Sequence, residues 1–230
     1  MKSIPRFRGP SITLLAAVHI ALFVAGLVAG SVLRHSASYV TPFAPAEQVR
    51  QFFTQSPIAV RVSSFFLFGS AVPFGIFAVT TVSRLRFMGV RAAGTNIALL
   101  GGLVATIALF VSGIAGWILS VPDVTELAAA VKAIYFLSFL CGGVLYAIGF
   151  GLLAAGVAVS SYFVRLLPRW LVFLGILLAI TGELSWFSLI VYPANFLIPI
   201  TRFVGFIWML LAAIWLTRGR NTAQQPGSAG

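Results

Sequence analysis

The residues with the greatest potential for chemistry are ionisable side chains inside long apolar segments. Glu183 is the one acid within such a segment, in the stretch LVFLGILLAITGELSWFSLIVY. A charged side chain at the centre of a bilayer costs roughly 2.5 to 3.5 kcal/mol, so an acid retained there usually pairs with a cation, binds a ligand or carries protons. Glu183 is therefore the first candidate for a functional residue.

Arg202 is the predicted partner of Glu183. Glu183 precedes Tyr192 by 9 residues, and Arg202 follows Asn195 by 7. At 1.5 Å per residue, the two side chains lie about 13 Å and about 10 Å below the same end of two helices. The connection between these helices is short, which makes them antiparallel neighbours. We predict a buried ion pair, because an arginine fork can hold a carboxylate through two hydrogen bonds.

Two further cations, Arg61 and Lys132, fall in the same half of the predicted helices. If both face inward beside Glu183 and Arg202, the four residues form a positively charged pocket that suits a small anionic ligand or a lipid headgroup. Alternatively, Arg61 and Lys132 extend to the membrane interface, as long basic side chains do near helix ends.

His19 lies near the middle of the first apolar segment. Its protonation could form a relay with Glu183, whereas a neutral imidazole hydrogen-bonded between helices is the more usual arrangement. Two histidines and the single cysteine, Cys141, cannot assemble a convincing zinc, haem or di-iron site. We therefore predict no metal and no cofactor.

Transmembrane helices must position these residues. The chain is 60% apolar and only 8% charged, with a mean hydropathy of +1.06, whereas about 25% of residues are charged in soluble domains. The net charge is +11, but the basic residues flank apolar runs rather than forming one soluble patch. This distribution argues against nucleic-acid binding.

Apolar runs of about 20 residues, the length that crosses a bilayer, predict an all-α, polytopic bundle of six transmembrane helices. The runs cover residues 11–33, 58–82, 94–120, 130–163, 169–192 and 196–217. The first run has 23 residues, which is too long for a signal peptide, so we predict an uncleaved helix. A single domain would occupy 1–220, followed at 221–230 by a disordered tail of low apolar content.

The distribution of lysine and arginine predicts that both termini are cytoplasmic. Ten of the 15 basic residues fall on the side of the termini, and basic residues near helix ends resist translocation. The ten are Lys2, Arg6, Arg8, Arg84, Arg86, Arg91, Arg165, Arg169, Arg218 and Arg220.

A short amphipathic helix is predicted outside the membrane between the first two spans. Its sequence begins at Pro45, a favourable first-turn residue, and continues through Glu47 to Phe53. Val49, Phe52 and Phe53 would share one apolar face. This face either lies on the membrane surface or, as we favour, caps the bundle.

Gly26 and Gly30 form a small-xxx-small motif in the first span. Such spacing lets two helix backbones approach closely. The motif is compatible with a homo-oligomer, although packing within one bundle is its more common use.

Two turn sequences carry a resemblance to a known family. They are Ser83-Arg-Leu-Arg-Phe-Met-Gly89 after the second span, and Leu167-Pro168-Arg169-Trp170-Leu171 leading to Gly175 in the fifth. With the order of its helices over roughly 11–217, the chain resembles a bacterial six-helix integral membrane protein family of unknown function. The resemblance implies a bundle architecture and a bacterial inner-membrane location, and it assigns no site residues.

Three function classes compete. A non-enzymatic module that binds membrane lipid, a small anionic ligand or a partner protein in its outer half best fits the surplus of cations. A small secondary transporter or proton-coupled carrier would use Glu183 as its titrating group. A membrane enzyme is the least favoured, because acid–base catalysis normally needs a second positioned titratable group.

Overall fold

The computed structural model describes residues 9–34 and 38–222, with side chains as far as residue 217. Its α-helices are α1 (Ile12–Leu33), α2 (Ala46–Gln55), α3 (Pro57–Phe87), α4 (Ala93–Ile118), α5 (Ala128–Phe139), α6 (Tyr146–Phe163), α7 (Arg169–Leu184) and α8 (Leu197–Thr222). No strand occurs in the described residues. The predicted all-α class is confirmed.

Six helical segments are long and apolar enough to cross a membrane, as predicted. They are Ile12–Leu33, Pro57–Phe87, Ala93–Ile118, Ala128–Phe163, Arg169–Leu189 and Tyr192–Thr217. The protein is therefore a multi-pass membrane protein. Within the predicted tail at 221–230, the first two residues continue α8 and the others lie outside the described residues, as do Lys2, Arg6 and Arg8.

Local chemistry explains where several helices begin. The Ser11 hydroxyl accepts a hydrogen bond from the Leu14 amide, 3.3 Å away, which caps the start of α1. Pro57 occupies the first turn of α3, where its missing N–H costs nothing. The 31 residues of α3 span about 46 Å, which exceeds a hydrocarbon core of about 30 Å. Helix α3 must therefore either tilt in the bilayer or extend beyond the apolar layer.

The six spans form a closed ring in chain order. α1 packs on α3, α3 on α4, α4 on α6, α6 on α7, α7 on α8, and α8 returns to α1. Because consecutive spans are antiparallel, α2 lies at one end of the ring, and the start of α1 and the end of α8 lie at the other. We call these the α2 end and the terminal end.

Large side chains fill the interior toward the terminal end. The aromatic rings of Phe74, Tyr146, Phe150 and Trp208 are almost completely buried. The Trp208 indole donates a hydrogen bond to the Leu171 carbonyl at 2.9 Å, which joins α8 to α7. The lipid-facing residues are apolar as well, so this core is distinguished by its packing rather than by its hydrophobicity.

Glycines allow α4 and α6 to touch backbone to backbone. A Cβ atom added at Gly149 would lie 2.6 Å from the Ala105 nitrogen and 2.8 Å from the Gly101 carbonyl oxygen. Gly26 and Gly30 serve the same purpose between α1 and α3, where a Cβ at Gly26 would lie 2.9 Å from the Cβ of Phe66. The glycine pair of the first span therefore supplies an intramolecular contact, and its role in an oligomer stays a prediction.

The amphipathic helix α2 covers one end of the bundle. Val49, Phe52 and Phe53 are buried and pack with Leu119, Val131 and Tyr135 in a hydrophobic cluster separate from the main core. On the opposite face of α2, Arg50 forms an ion pair with Glu47, and its hydrogen bonds lower the pKa of this carboxyl group. The apolar face of α2 thus caps the bundle.

Candidate functional site

Arg202 lies on α8 with its guanidinium group inside the ring of helices. Its Cζ atom is 4.9 Å from the centre of the Phe23 ring and 4.4 Å from that of Tyr146. One terminal nitrogen donates a hydrogen bond to the carbonyl oxygen of Gly142. Cation–π contacts of this kind stabilise a charge that has left water.

A π-helical segment at Leu140–Leu145, between α5 and α6, provides this carbonyl group. The amide of Tyr146 bonds to the carbonyls of Cys141 and Gly143 rather than to that of Gly142, its partner in a regular α-helix. The Gly142 carbonyl consequently loses its usual donor and accepts from Arg202. Short π-helical segments of this type are frequent at functional sites.

The structure does not show the predicted ion pair between Glu183 and Arg202. Across the residues that the structure describes, Arg50 and Glu47 form the one ion pair within 4 Å. The Thr201 hydroxyl donates to the Thr181 hydroxyl at 3.1 Å, which shows the faces that α7 and α8 present to each other. Glu183 is two positions beyond Thr181, about 200° around the helix, because each residue turns about 100°. Residue counting places Glu183 and Arg202 at similar depths, but Glu183 does not lie on the face of α7 that contacts α8.

Glu183 instead lies near the contact between α7 and α6. The backbone at Gly182 and Glu183 packs against Gly151 on α6. The side chain is half-buried, and its Oε1 atom is buried without a hydrogen-bond partner. Glu183 is thus an unpaired carboxyl group, and it does not border the cavities around Arg202.

Arg61 and Lys132 do not join Arg202 in a common pocket. Arg61 donates to the Ser120 hydroxyl and to the Ser120 carbonyl, both at 3.1 Å. Lys132 donates to the Ala44 carbonyl at 2.9 Å. Both cations hold backbone segments at the α2 end, so the structure does not bring the four predicted residues together.

His19 is fully buried between α1, α3 and α8. Its Nδ1 atom is 2.9 Å from the Ser70 carbonyl oxygen, and its ring packs 5.0 Å from Phe74 and 5.5 Å from Phe206. Its Nε2 atom has no hydrogen-bond partner. None of these contacts lies on α7, so the structure shows no relay between His19 and Glu183.

Arg202 borders a cavity of about 170 Å³ within the ring of helices. We call it the Arg202 cavity, and its lining comprises Phe23, Gly26, Leu27, Ser63, Ser64, Leu67, Ser112, Gly116, Ser138 and Arg202. Three of the four serines already bond to backbone carbonyls. Ser63 donates to Gly26 at 3.2 Å, and Ser112 and Ser138 donate to each other's carbonyls at 2.8 and 3.1 Å. Ser64 is a buried residue, and its hydroxyl makes no hydrogen bond within the described structure.

A second cavity of about 240 Å³ lies beside the first, nearer the α2 end. We call it the α2 cavity. The two cavities share Leu27, Ser63, Ser64, Gly116 and Ser138, so they are adjacent. Phe52 and Phe53 of α2 and the ring of Tyr135 border its far end. The Tyr135 hydroxyl donates to the Val40 carbonyl at 2.7 Å and lies within hydrogen-bond distance, 2.8 Å, of the Tyr39 hydroxyl, which holds the segment before α2 against α5.

Sequence reasoning found Arg202 but missed most of its surroundings. The serines that line the cavity resemble ordinary packing residues in apolar helices. The Cys141-Gly142-Gly143 segment carries a hint, since adjacent glycines weaken a helix, but this hint does not specify a π-helix. Tyr146 gave no signal beyond its position in an apolar run.

Neither a metal site among the described residues nor a match to a known protein helps to identify the function. In residues 9–34 and 38–222, no group of three His, Cys, Asp or Glu side chains is placed to hold a metal ion. Comparisons with protein-family models, curated proteins and solved structures found no match.

Proposed function

We propose that the protein is a non-enzymatic binding module of the bacterial cytoplasmic membrane that takes an anionic ligand at Arg202. The observation that carries the proposal is the guanidinium group of half-buried Arg202, which borders a cavity inside the ring of helices and has no carboxylate of the described residues within 4 Å. A buried cation is costly unless it is paired. An oxyanion in the cavity would complete the pairing that the aromatic rings and one carbonyl begin.

The hydrogen-bonding groups support an oxyanion ligand. Arginine has five N–H donors in a planar fork, and the buried Nε atom of Arg202 has no partner. The free Ser64 hydroxyl borders the same cavity. Carboxylates and phosphates match such donors, and the charge-assisted hydrogen bonds would be stronger than those to a neutral ligand.

The experiment measures the thermal stability of the detergent-purified protein against increasing concentrations of butanoate, inorganic phosphate and phosphatidylglycerol. Binding to the folded state should raise the melting temperature saturably, by an amount equivalent to about 2.7 kcal/mol at 100 times the dissociation constant. Response to the free anions would show that an anionic group alone is enough for binding, and response to phosphatidylglycerol alone would indicate that the site requires a lipid.

Arg202→Met should abolish the saturable response. Arg61→Met is the matched control, because Arg61 is also an arginine of the α2 half but bonds to Ser120 outside the Arg202 cavity. The control should retain the response. Equal responses in wild type and Arg202→Met, or no saturable response to any of the three probes, would contradict the proposal.

A second candidate function is favoured by the unpaired Oε1 atom of Glu183. A carboxyl group inside a membrane protein can carry protons, so a proton-coupled carrier that uses Glu183 is the alternative. The test is proton flux into liposomes that contain the protein. Flux abolished by Glu183→Gln would support the carrier, and absence of flux with the wild type would reject it.

A further inference from the structure

We infer that the ligand is a single-chain amphiphile whose anionic head binds Arg202 and whose alkyl chain reaches the bilayer between α3 and α4. This inference rests on the proposed function and adds the class of ligand and its route of entry. Three features carry it: a third cavity on the lipid-facing side, its junction with the Arg202 cavity, and the polarity of the whole space.

The third cavity, which we call the α3–α4 groove, has a volume of about 230 Å³. Its lining comprises Ser64, Phe65, Phe68, Gly113, Ile114 and Trp117. Phe65 is 69% exposed and Trp117 is 51% exposed, and both belong to membrane-spanning segments. The groove therefore opens into the acyl chains of the bilayer.

Ser64 joins the three cavities. It lines the Arg202 cavity, the α2 cavity and the α3–α4 groove. Opposite Ser64 stands Gly116 of α4, where an added Cβ atom would lie 2.4 Å from the Ser64 hydroxyl oxygen. Small residues, Ser64 and Gly116, thus stand between the bilayer side and the interior in this part of the α3–α4 contact. A modest separation of these residues would connect the groove with the interior.

The polarity of the Arg202 cavity and the α3–α4 groove, taken together, fits a ligand with one charged end and an apolar remainder. Arg202 supplies positive charge at one end, and the unbonded Ser64 hydroxyl lies on the path away from it. The groove beyond Ser64 presents aromatic and aliphatic carbon. A small soluble anion would bind Arg202 but leave these apolar surfaces unfilled, whereas an alkyl chain would bury against them.

The experiment uses a hexadecanoate probe with a diazirine in its chain, added to the full-length protein in nanodiscs. After irradiation, labelled residues are mapped by mass spectrometry. We expect labelling at Ile114 and Trp117 that falls at least tenfold in Arg202→Met. Phe173 on α7 is 64% exposed to the bilayer and should report unspecific labelling that the substitution does not change.

Arg202→Lys tests whether the loss of labelling in Arg202→Met results from misfolding. Because this variant keeps the positive charge, it should recover much of the labelling at Trp117. Excess unlabelled hexadecanoate should compete with the probe. Labelling at Trp117 that is insensitive to Arg202→Met and to the competitor would overturn the inference. If butanoate still stabilises wild type but not Arg202→Met under that outcome, the proposed anion site stands and only the amphiphile is rejected. If butanoate also fails, both proposals fall.

Discussion

At the scale of single residues, the main result is the separation of two charges that the sequence places at one depth. Residue counting along α7 and α8 estimates height well, because the rise per residue is fixed. It does not give the rotation of each helix, which depends on packing with other helices. Arg202 turns toward Phe23 and Tyr146, while Glu183 remains beside α6 without an ionic partner.

This separation predicts that substitutions of the two residues act independently. The changes in melting temperature caused by Glu183→Gln and Arg202→Met should add in the double variant, since residues without shared contacts usually contribute additively within about 0.5 kcal/mol. Melting of the three variants in one detergent, without added ligand, makes the comparison. A double variant whose loss of melting temperature is clearly smaller than the sum of the two single losses would support the ion pair.

At the scale of elements, the contact between α4 and α6 depends on the absence of side chains at Gly101 and Gly149. Gly149→Ala should destabilise the protein by about 1 to 3 kcal/mol, as overpacking of a close contact does, because the new methyl group meets backbone atoms that cannot rotate away. Gly69→Ala is the matched control, since nothing lies within 4 Å of an added Cβ there. Thermal melting distinguishes the two, and equal stability of both variants would disprove the close contact.

The capping helix α2 makes its own prediction. Phe53 is buried against Tyr135, with ring centres 5.0 Å apart, and it borders the α2 cavity. Phe53→Ala should therefore admit water and raise the reaction rate of a Ser63→Cys thiol with a soluble methanethiosulfonate reagent by about tenfold, through easier local opening. The background carries Cys141→Ser, and Phe173→Ala provides the lipid-facing control. An unchanged rate would show that α2 does not seal the cavity.

At the scale of the whole molecule, the six crossings follow from the apolar runs because length and hydropathy suffice to identify a transmembrane helix. The six segments of the structure agree with those runs. The interior was much less predictable: the order of helices around the ring, the cavities and the serine lining depend on the rotation of each helix. In a chain that is apolar on both its lipid-facing and buried sides, hydrophobic periodicity carries little information about this rotation.

The positive-inside pattern predicts that the α2 end faces the periplasm. In intact spheroplasts of a bacterial host, a membrane-impermeant maleimide should label Gln51→Cys in α2 but should label Arg91→Cys only after lysis. Both positions are exposed in the structure, and a Cys141→Ser background removes the native thiol. The reverse pattern of labelling would show that the α2 end faces the cytoplasm.

The π-helical segment at Leu140–Leu145 affects how the transmembrane segment Ala128–Phe163 contributes to two separate hydrophobic clusters. Tyr135 and Tyr146 are 11 residues apart, close to three full turns, so a regular α-helix would place them on the same stripe. The wider π-turn offsets that phase by roughly one residue, or about 100°. Tyr135 can then belong to the cluster beneath α2, while Tyr146 belongs to the main core. The π-helical segment thus rotates α6 relative to α5 about their common axis. This rotation lets the two halves of one transmembrane segment contribute to two different hydrophobic clusters.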